Sequence, residues 1–176
     1  MFRRYFGVPK DANFDEDFMS RFPILFQERK QSMNQTCMCW GIDCPEGWYH
    51  IIEQLCTALE FYNIDIGSKY GLAIVAEQVK EKFGTLRFYY TVREVDKDGN
   101  AMDYCELSAD DNKCRAVIDY LGMLASNAID EACAMTLDTC AKCGCPLNDK
   151  NKVVTRGYIS YMCDKCATPP KDNGIG

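Results

Sequence analysis

The chain has 176 residues, 47% of them hydrophobic and 26% charged, with a formal net charge of −6. That balance excludes wholesale disorder, and the length sets one domain or a domain with a small appendage. The acidity argues against a general duplex-binding protein. No apolar run approaches the roughly 20 residues of a membrane span, and the opening MFRRYFGVPKDANFDEDF has no apolar stretch behind its arginines. Neither a membrane segment nor a signal peptide is expected.

Twelve cysteines against one histidine are the anomaly in the composition. Without a signal peptide they are expected as free thiols or metal ligands in a reducing cytoplasm. The alternative is a set of disulfides after export.

Residues 1–36 are aromatic and polar without a clear period. Phe14, Phe18, Phe22, Ile24, Leu25 and Phe26 are expected to dock on the core as one or two short helices, which Pro23 prevents from fusing. Residues 43–62 read as the first amphipathic helix, with Asp43 as cap, Pro45 in the first turn and Glu46 completing a capping box. Trp48, Ile51, Ile52, Leu55, Cys56, Leu59 and Tyr62 repeat at three- and four-residue steps and build one apolar face. Residues 72–92 read as two strands joined at KFG, where Gly84 can take a positive φ. Asp98-Gly99 signals a second hairpin into AMDYCEL. Residues 109–136 read as a long helix capped by Ser108, with Asp110 and Asp111 at its positive end.

The expected class is therefore α+β, with helices packed on a small antiparallel sheet built from 72–107. Residues 1–138 are expected to form the core, 139–167 a four-cysteine zinc ribbon and 168–176 a flexible tail. Charge follows the same division: residues 101–138 carry a net −6, residues 139–176 a net +3 and residues 1–100 a net −3, summing to −6.

The strongest motif is Cys140-Ala-Lys-Cys143, then nineteen residues, then Cys163-Asp-Lys-Cys166. Two residues between thiolates let one turn deliver both sulfurs to the same ion, and four thiolates in a tetrahedron suit Zn2+. Gly144 frees the backbone to approach those sulfurs. The strand-forming KVVTRGYISYMC between the pairs reads as a hairpin that brings them together. With four protein ligands the ion is structural, since catalysis needs an open position. Cys145, two residues past Cys143, reads as a small side chain beside the site. A weaker second set comprises Cys37, Cys39, Cys44 and His50, whose bland alternative is a loop of small buried side chains.

Cys44-Pro-Glu46 with a distant cysteine pair has the outline of a zinc deaminase. However, Thr139 stands where that pattern needs proline, and a hairpin follows the pair where it needs a helix. A cysteine nucleophile would have to use His50 as its base. DKDGNAMDYCEL is not a calcium loop, because its glycine falls fourth and Leu107 stands twelfth. Nucleic acid is a candidate partner of the ribbon, through Lys142, Lys150, Lys152, Arg156 and Lys165 with Tyr158 and Tyr161 as stacking surfaces.

Three stretches together, CMCWGIDCPEGWYHIIEQLC, AEQVKEKFGTLRFYY and CAKCGCP…MCDKC, resemble an uncharacterised family of small bacteriophage and prophage proteins. The resemblance covers roughly residues 20–166. It implies a phage product acting in the bacterial cytoplasm and transfers no catalytic residue. Cys37, Cys39, Cys44, Cys145 and the acidic insert around 94–111 depart from the family pattern.

The expectation is a non-enzymatic zinc protein that binds a host or defence protein, without a membrane partner. The candidate contact residues are Trp48, then Lys82, Phe83, Arg87 and Tyr89 on the hairpin, and the acidic run with Asp103, Glu106, Asp110 and Asp111. The bland reading of the hairpin set is a half-buried sheet. A third expectation places a ligand pocket, or an enzyme site, between the first helix and the sheet, lined by Trp48, His50 and Arg87.

Overall fold

The structure, a computed structural model, describes residues 14–102, 112–154 and 159–167. Helix α1 (Phe14–Met19) is followed by turns and a short strand, β1 (Ile42–Asp43). Next come helix α2 (Tyr49–Tyr62), a π-helical turn (Asn63–Gly67) and one helical turn, α3 (Ser68–Tyr70). Strands β2 (Leu72–Lys82) and β3 (Thr85–Glu94) form the central hairpin. The long helix α4 (Asn112–Leu137) leads to β4 (Lys152–Val154), β5 (Tyr161–Cys163) and a final turn, α5 (Asp164–Ala167). The architecture is α+β with a cysteine-rich, ribbon-like C-terminal module.

The main sheet is mixed, with the order β1-β2-β3. β2 and β3 pair antiparallel, but β1 joins β2 in parallel, with Ile42 opposite Val79 and Asp43 opposite Lys80. This corrects the wholly antiparallel sheet expected from the sequence. It also moves Asp43 from the helix cap into a strand. The physical reason lies in Pro45, which disfavours helical backbone at the preceding Cys44. A helix begun at Asp43 would have needed that residue in its first turn. The chain instead stays extended through Pro45 (φ −60°, ψ 144°) and enters α2 through a 3-10 turn, Glu46–Trp48.

α2 ends where its apolar stripe ends. The amide of Asn63, 1% exposed, donates to the Ile74 carbonyl at 3.0 Å and accepts from the Ile74 N–H at 2.6 Å. A side chain thus completes the backbone bonding of β2 at its buried end. The turn between β2 and β3 is Phe83-Gly84, with φ of +55° and +77°. Two positive φ values match the twist of the flanking strands. The expected freedom of Gly84 is used, and Phe83 shares the conformation at a steric cost. After β3, the Asp96 carboxylate accepts the N–H groups of Asp98 and Asn100, and Val95 bridges Ala101, so the Asp98-Gly99 turn is present. Ser108 and residues 103–111 lie outside the described residues.

One face of the hairpin packs into the core. Ile74, Ala76, Val79, Leu86 and Phe88 meet Trp48, Ile52, Leu55 and Leu59 of the α2 region, and Leu121 and Ala125 of α4. α4 runs back along β3. Tyr90 Oη reaches the Gly122 carbonyl at 2.8 Å and Ser126 Oγ at 2.9 Å, while Thr136 Oγ1 accepts the Leu86 N–H at 3.3 Å. The segment after α1 closes the start of β2. The buried Glu60 carboxylate accepts the N–H groups of Ile24 and Leu25 at 2.9 and 2.8 Å, and Ala76 N–H donates to the Leu25 carbonyl. Arg93 is forked onto Glu28, a pair with side chains 11% and 6% exposed.

Candidate metal centre

The C-terminal module is assembled by backbone hydrogen bonds around its cysteines. Cys140 N–H donates to the Cys145 carbonyl and Gly144 N–H to the Cys140 carbonyl, both at 2.9 Å, closing a tight knuckle. Gly144 takes φ +72° to allow it. β4 and β5 pair antiparallel with Lys152 opposite Cys163. Ala141 N–H donates to the Tyr161 carbonyl, stitching the hairpin to the knuckle. Cys163 N–H then points at Cys140 Sγ at 3.3 Å. Cys166 follows on α5.

The sulfurs of Cys140, Cys143, Cys145 and Cys163 all lie within 4.8 Å of one another. The Cys143 and Cys163 sulfurs are 3.8 Å apart, and a tetrahedral zinc with bonds of about 2.3 Å has edges of about 3.8 Å. The Cys166 thiol also contacts the sulfurs of Cys163, Cys143 and Cys140. Four sulfurs therefore converge, with Cys166 packed beside them, and a tetrahedral ion takes four donors. Cys140, Cys143 and Cys163 are common to the spacing motif and to the converging set. Cys145 and Cys166 flank them. Cys145, expected to stand aside, has its sulfur inside the cluster. Once Gly144 turns, residues 143 and 145 can present their side chains to the same centre.

The surroundings split the thiols electrostatically. Burial pushes the Cys140 thiol up, but N–H groups of Cys143, Cys163 and Lys142 aimed at its sulfur prevail and hold it at about 6. Burial acts the same way on Cys163, and there too N–H and S–H donors win and lower it. Cys145 is pushed up to about 12, by burial first and then by the sulfurs of Cys143 and Cys163. Cys166 is raised for the same reasons. A cation entering the cluster removes the mutual repulsion that holds the last protons on, so metal binding and proton release are coupled here. An all-sulfur donor set in a closed shell fits a soft or borderline ion of tetrahedral preference.

The second set of candidate ligands does not converge. Cys37 is exposed, Cys39 donates its S–H to the Thr36 carbonyl at 3.2 Å, and Cys44 is buried in the core. His50 sits in the first turn of α2, where burial lowers its pKa against the opposing effect of a hydrogen bond with the Gly47 backbone. Among the described residues, the C-terminal cysteines are the one group of three or more potential ligands whose ligand atoms lie together.

The other candidates are placed plainly. Trp48 is fully buried and donates its indole N–H to the Thr139 carbonyl at 3.4 Å, so it is neither a contact residue nor the wall of a pocket. Arg87 lies across β3 from the buried Leu86 and Phe88, on the opposite face of the sheet. The expected pocket of Trp48, His50 and Arg87 is therefore not assembled. Asp103, Glu106, Asp110 and Asp111 lie outside the described residues, as do Arg156 and Tyr158. Tyr161 is not a free stacking surface, because its ring packs against Gly84 and lies under the Lys152 ammonium at 4.6 Å. Lys82, Phe83, Arg87 and Tyr89 do share the hairpin.

Sequence reasoning missed Gly47 altogether, and at Gly84 it saw the turn but not the close contact. Gly47 N–H donates to the Ala141 carbonyl at 2.9 Å, and a Cβ there would meet the carbonyl oxygens of Cys140 and Ala141 and the Gly144 nitrogen. A Cβ on Gly84 would lie 2.7 Å from the Tyr161 ring. The cysteine module is thus seated on the start of α2 and on the hairpin tip. The signal was present in CPEGW, where glycine follows the proline-led turn at the point another backbone passes. No protein-family model, curated protein or solved structure matches the chain. Among the described residues, no helix is long and apolar enough to cross a membrane.

Proposed function

We propose that this is a non-enzymatic, zinc-stapled binding protein: a phage accessory protein that works in the bacterial cytoplasm by engaging a host or defence factor. One observation carries the reading. The cysteine knuckle is hydrogen-bonded to Gly47 and closes on Trp48, so an ion in it fastens the C-terminal module to the core. Four protein sulfurs would fill a tetrahedral shell and leave no position for a substrate, which supports a structural part for Zn2+. The buried carboxylates act in the same structural sense. Glu60 holds backbone N–H groups and Glu28 holds Arg93.

The working surface then lies away from the ion, on the outward face of β2 and β3, where Lys82, Phe83, Arg87 and Tyr89 were expected to make contact. The phage setting rests on the resemblance of the three motif stretches, which spans most of the described residues. A paired measurement tests the reading. Zinc content of the purified protein should be one ion per chain, and Lys80→Glu with Arg87→Glu should abolish binding to the partner while leaving zinc content and melting unchanged. Metal-free protein with an unaltered melting curve would refute the staple, and partner binding untouched by the charge reversals would refute the face.

A further inference from the structure

The outward face of the sheet is divided in two. Toward Leu72 and Glu94 the segment after α1 crosses it, with Glu28 clasping Arg93. Toward the hairpin tip it is open. Three large side chains stand out there: Trp40 is 70% exposed, Phe83 63% and Tyr89 46%. Lone exposed aromatics are ordinary, but these are interleaved with cations. The Lys80 ammonium lies 5.4 Å from the Tyr89 ring centre and the Lys82 ammonium 5.3 Å from that of Phe83. Lys80 stands directly opposite Arg87 in the β2–β3 ladder, and like charges placed so are unfavourable to the sheet. Asp43 of β1 stands opposite Lys80 on its other side, and Glu28 and Glu77, the acids that engage Arg93, line the neighbouring cavity. Phe83 bears a second cost, its φ of +55°, which favours glycine or asparagine over an aromatic. A cavity of about 420 Å³ between Trp40 and Lys80 meets another of about 380 Å³ beside Tyr89, the two sharing Cys37 and Gln78.

We propose that this face binds single-stranded nucleic acid, with Tyr89, Trp40 and Phe83 stacking bases and Lys80, Lys82 and Arg87 taking phosphates. The inference rests on the reading of the open sheet face as the binding face, and names its partner class. Two features fit a single strand over other anions. Paired cations repelling each other across a ladder ask for an anion. Aromatic side chains set among the cations, Tyr89 on β3 with Trp40 and Phe83 on adjoining turns, ask for flat apolar groups between the charges, which polyglutamate lacks and a duplex keeps stacked inside. The overall charge of −6 opposes general nucleic-acid binding and confines the contact to this patch. The ribbon is not needed for it, since Tyr161 is already packed against the hairpin tip.

The molecule carries its own probe. Of its two tryptophans, Trp48 is fully buried and Trp40 largely exposed, so a ligand-dependent change in emission reports Trp40. The zinc-loaded full chain is titrated with oligothymidylate of about 20 nucleotides at low salt, with a duplex of that length and polyglutamate as parallel arms. The expected result is quenching by the single strand, with the other two at least about ten-fold weaker. The slope of log K against log salt should be near −2, from three phosphate contacts at about −0.7 each. Tyr89→Ala and the pair Lys80→Ala and Arg87→Ala should each weaken binding about ten-fold or more while zinc content and melting hold.

No change in Trp40 emission, equal binding of polyglutamate, or indifference to those substitutions overturns the proposal. A protein partner whose binding depends on Lys80 and Arg87, found together with a silent oligonucleotide titration, overturns the nucleic-acid assignment and leaves the face itself standing. Loss of both removes the face as well.

Discussion

At the scale of single residues, two positions decide how the cysteine module and the N-terminal segment are held. Gly47 is the seat of the knuckle. A methyl group there has backbone on three sides, which cannot rotate away as a side chain could. Gly47→Ala should therefore destabilise the protein by about 1–3 kcal/mol or more and weaken metal retention, measured by denaturant unfolding and chelator competition. Glu60 is the second. Burial raises its pKa, although N–H groups of Ile24 and Leu25 pull the other way. A carboxyl that holds its proton more tightly folded than unfolded adds stability once protonated. That contribution is present below the ordinary carboxylate range and is lost as pH rises through the folded value. The stability of wild type relative to Glu60→Gln, read by denaturant at matched pH, should therefore shift in favour of wild type on acidification from about pH 7 to about pH 5. A constant difference would show that Glu60 ionises as it does in the unfolded chain.

At the scale of elements, the hairpin trades stability for surface. Phe83 occupies a turn position that Asn-Gly fills most readily. Phe83→Asn should raise the melting temperature, relieving about 1 kcal/mol of backbone strain, while impairing binding at the open face. A variant that melts lower and binds as before would contradict both statements. The same element shows what the sequence makes legible. The β2–β3 hairpin and the apolar face of α2 could be read in advance because alternation and the three-to-four residue period are local and repeat many times. β1 could not, since two residues carry no period and their strand exists only by pairing with Val79 and Lys80, far along the chain. The helix start was misjudged because Asp43 and Glu46 satisfy the capping pattern, while the veto comes from the bond before Pro45. In the metal centre, spacing found Cys140, Cys143 and Cys163, whereas its fourth member, Cys166, lies beside the four sulfurs that converge. Spacing gave no reason to include Cys145, whose sulfur arrives only through the turn at Gly144.

At the scale of the whole molecule, the cysteine module is joined to three other parts at one corner. The knuckle meets Gly47 and Trp48, β5 meets the hairpin tip, and α4 delivers Cys140 directly. An ion held by thiolates at that corner contributes its binding free energy to the folding of its surroundings. Protons compete with it for the sulfurs, so affinity should fall between about pH 8 and about pH 6, as followed by chelator competition, even though Cys140 keeps thiolate character lower than its neighbours. Metal content together with thermal unfolding of wild type and the double variant Cys140→Ser/Cys163→Ser tests the metal staple most directly. One zinc per chain is expected in the wild type and none in the variant, where fewer than four thiols remain. The unfolding temperature should drop by about 10 °C or more, both in the variant and on adding a chelator to the wild type. Wild-type protein that carries no zinc, or that melts identically with and without it, would contradict the claim that a metal staples this fold.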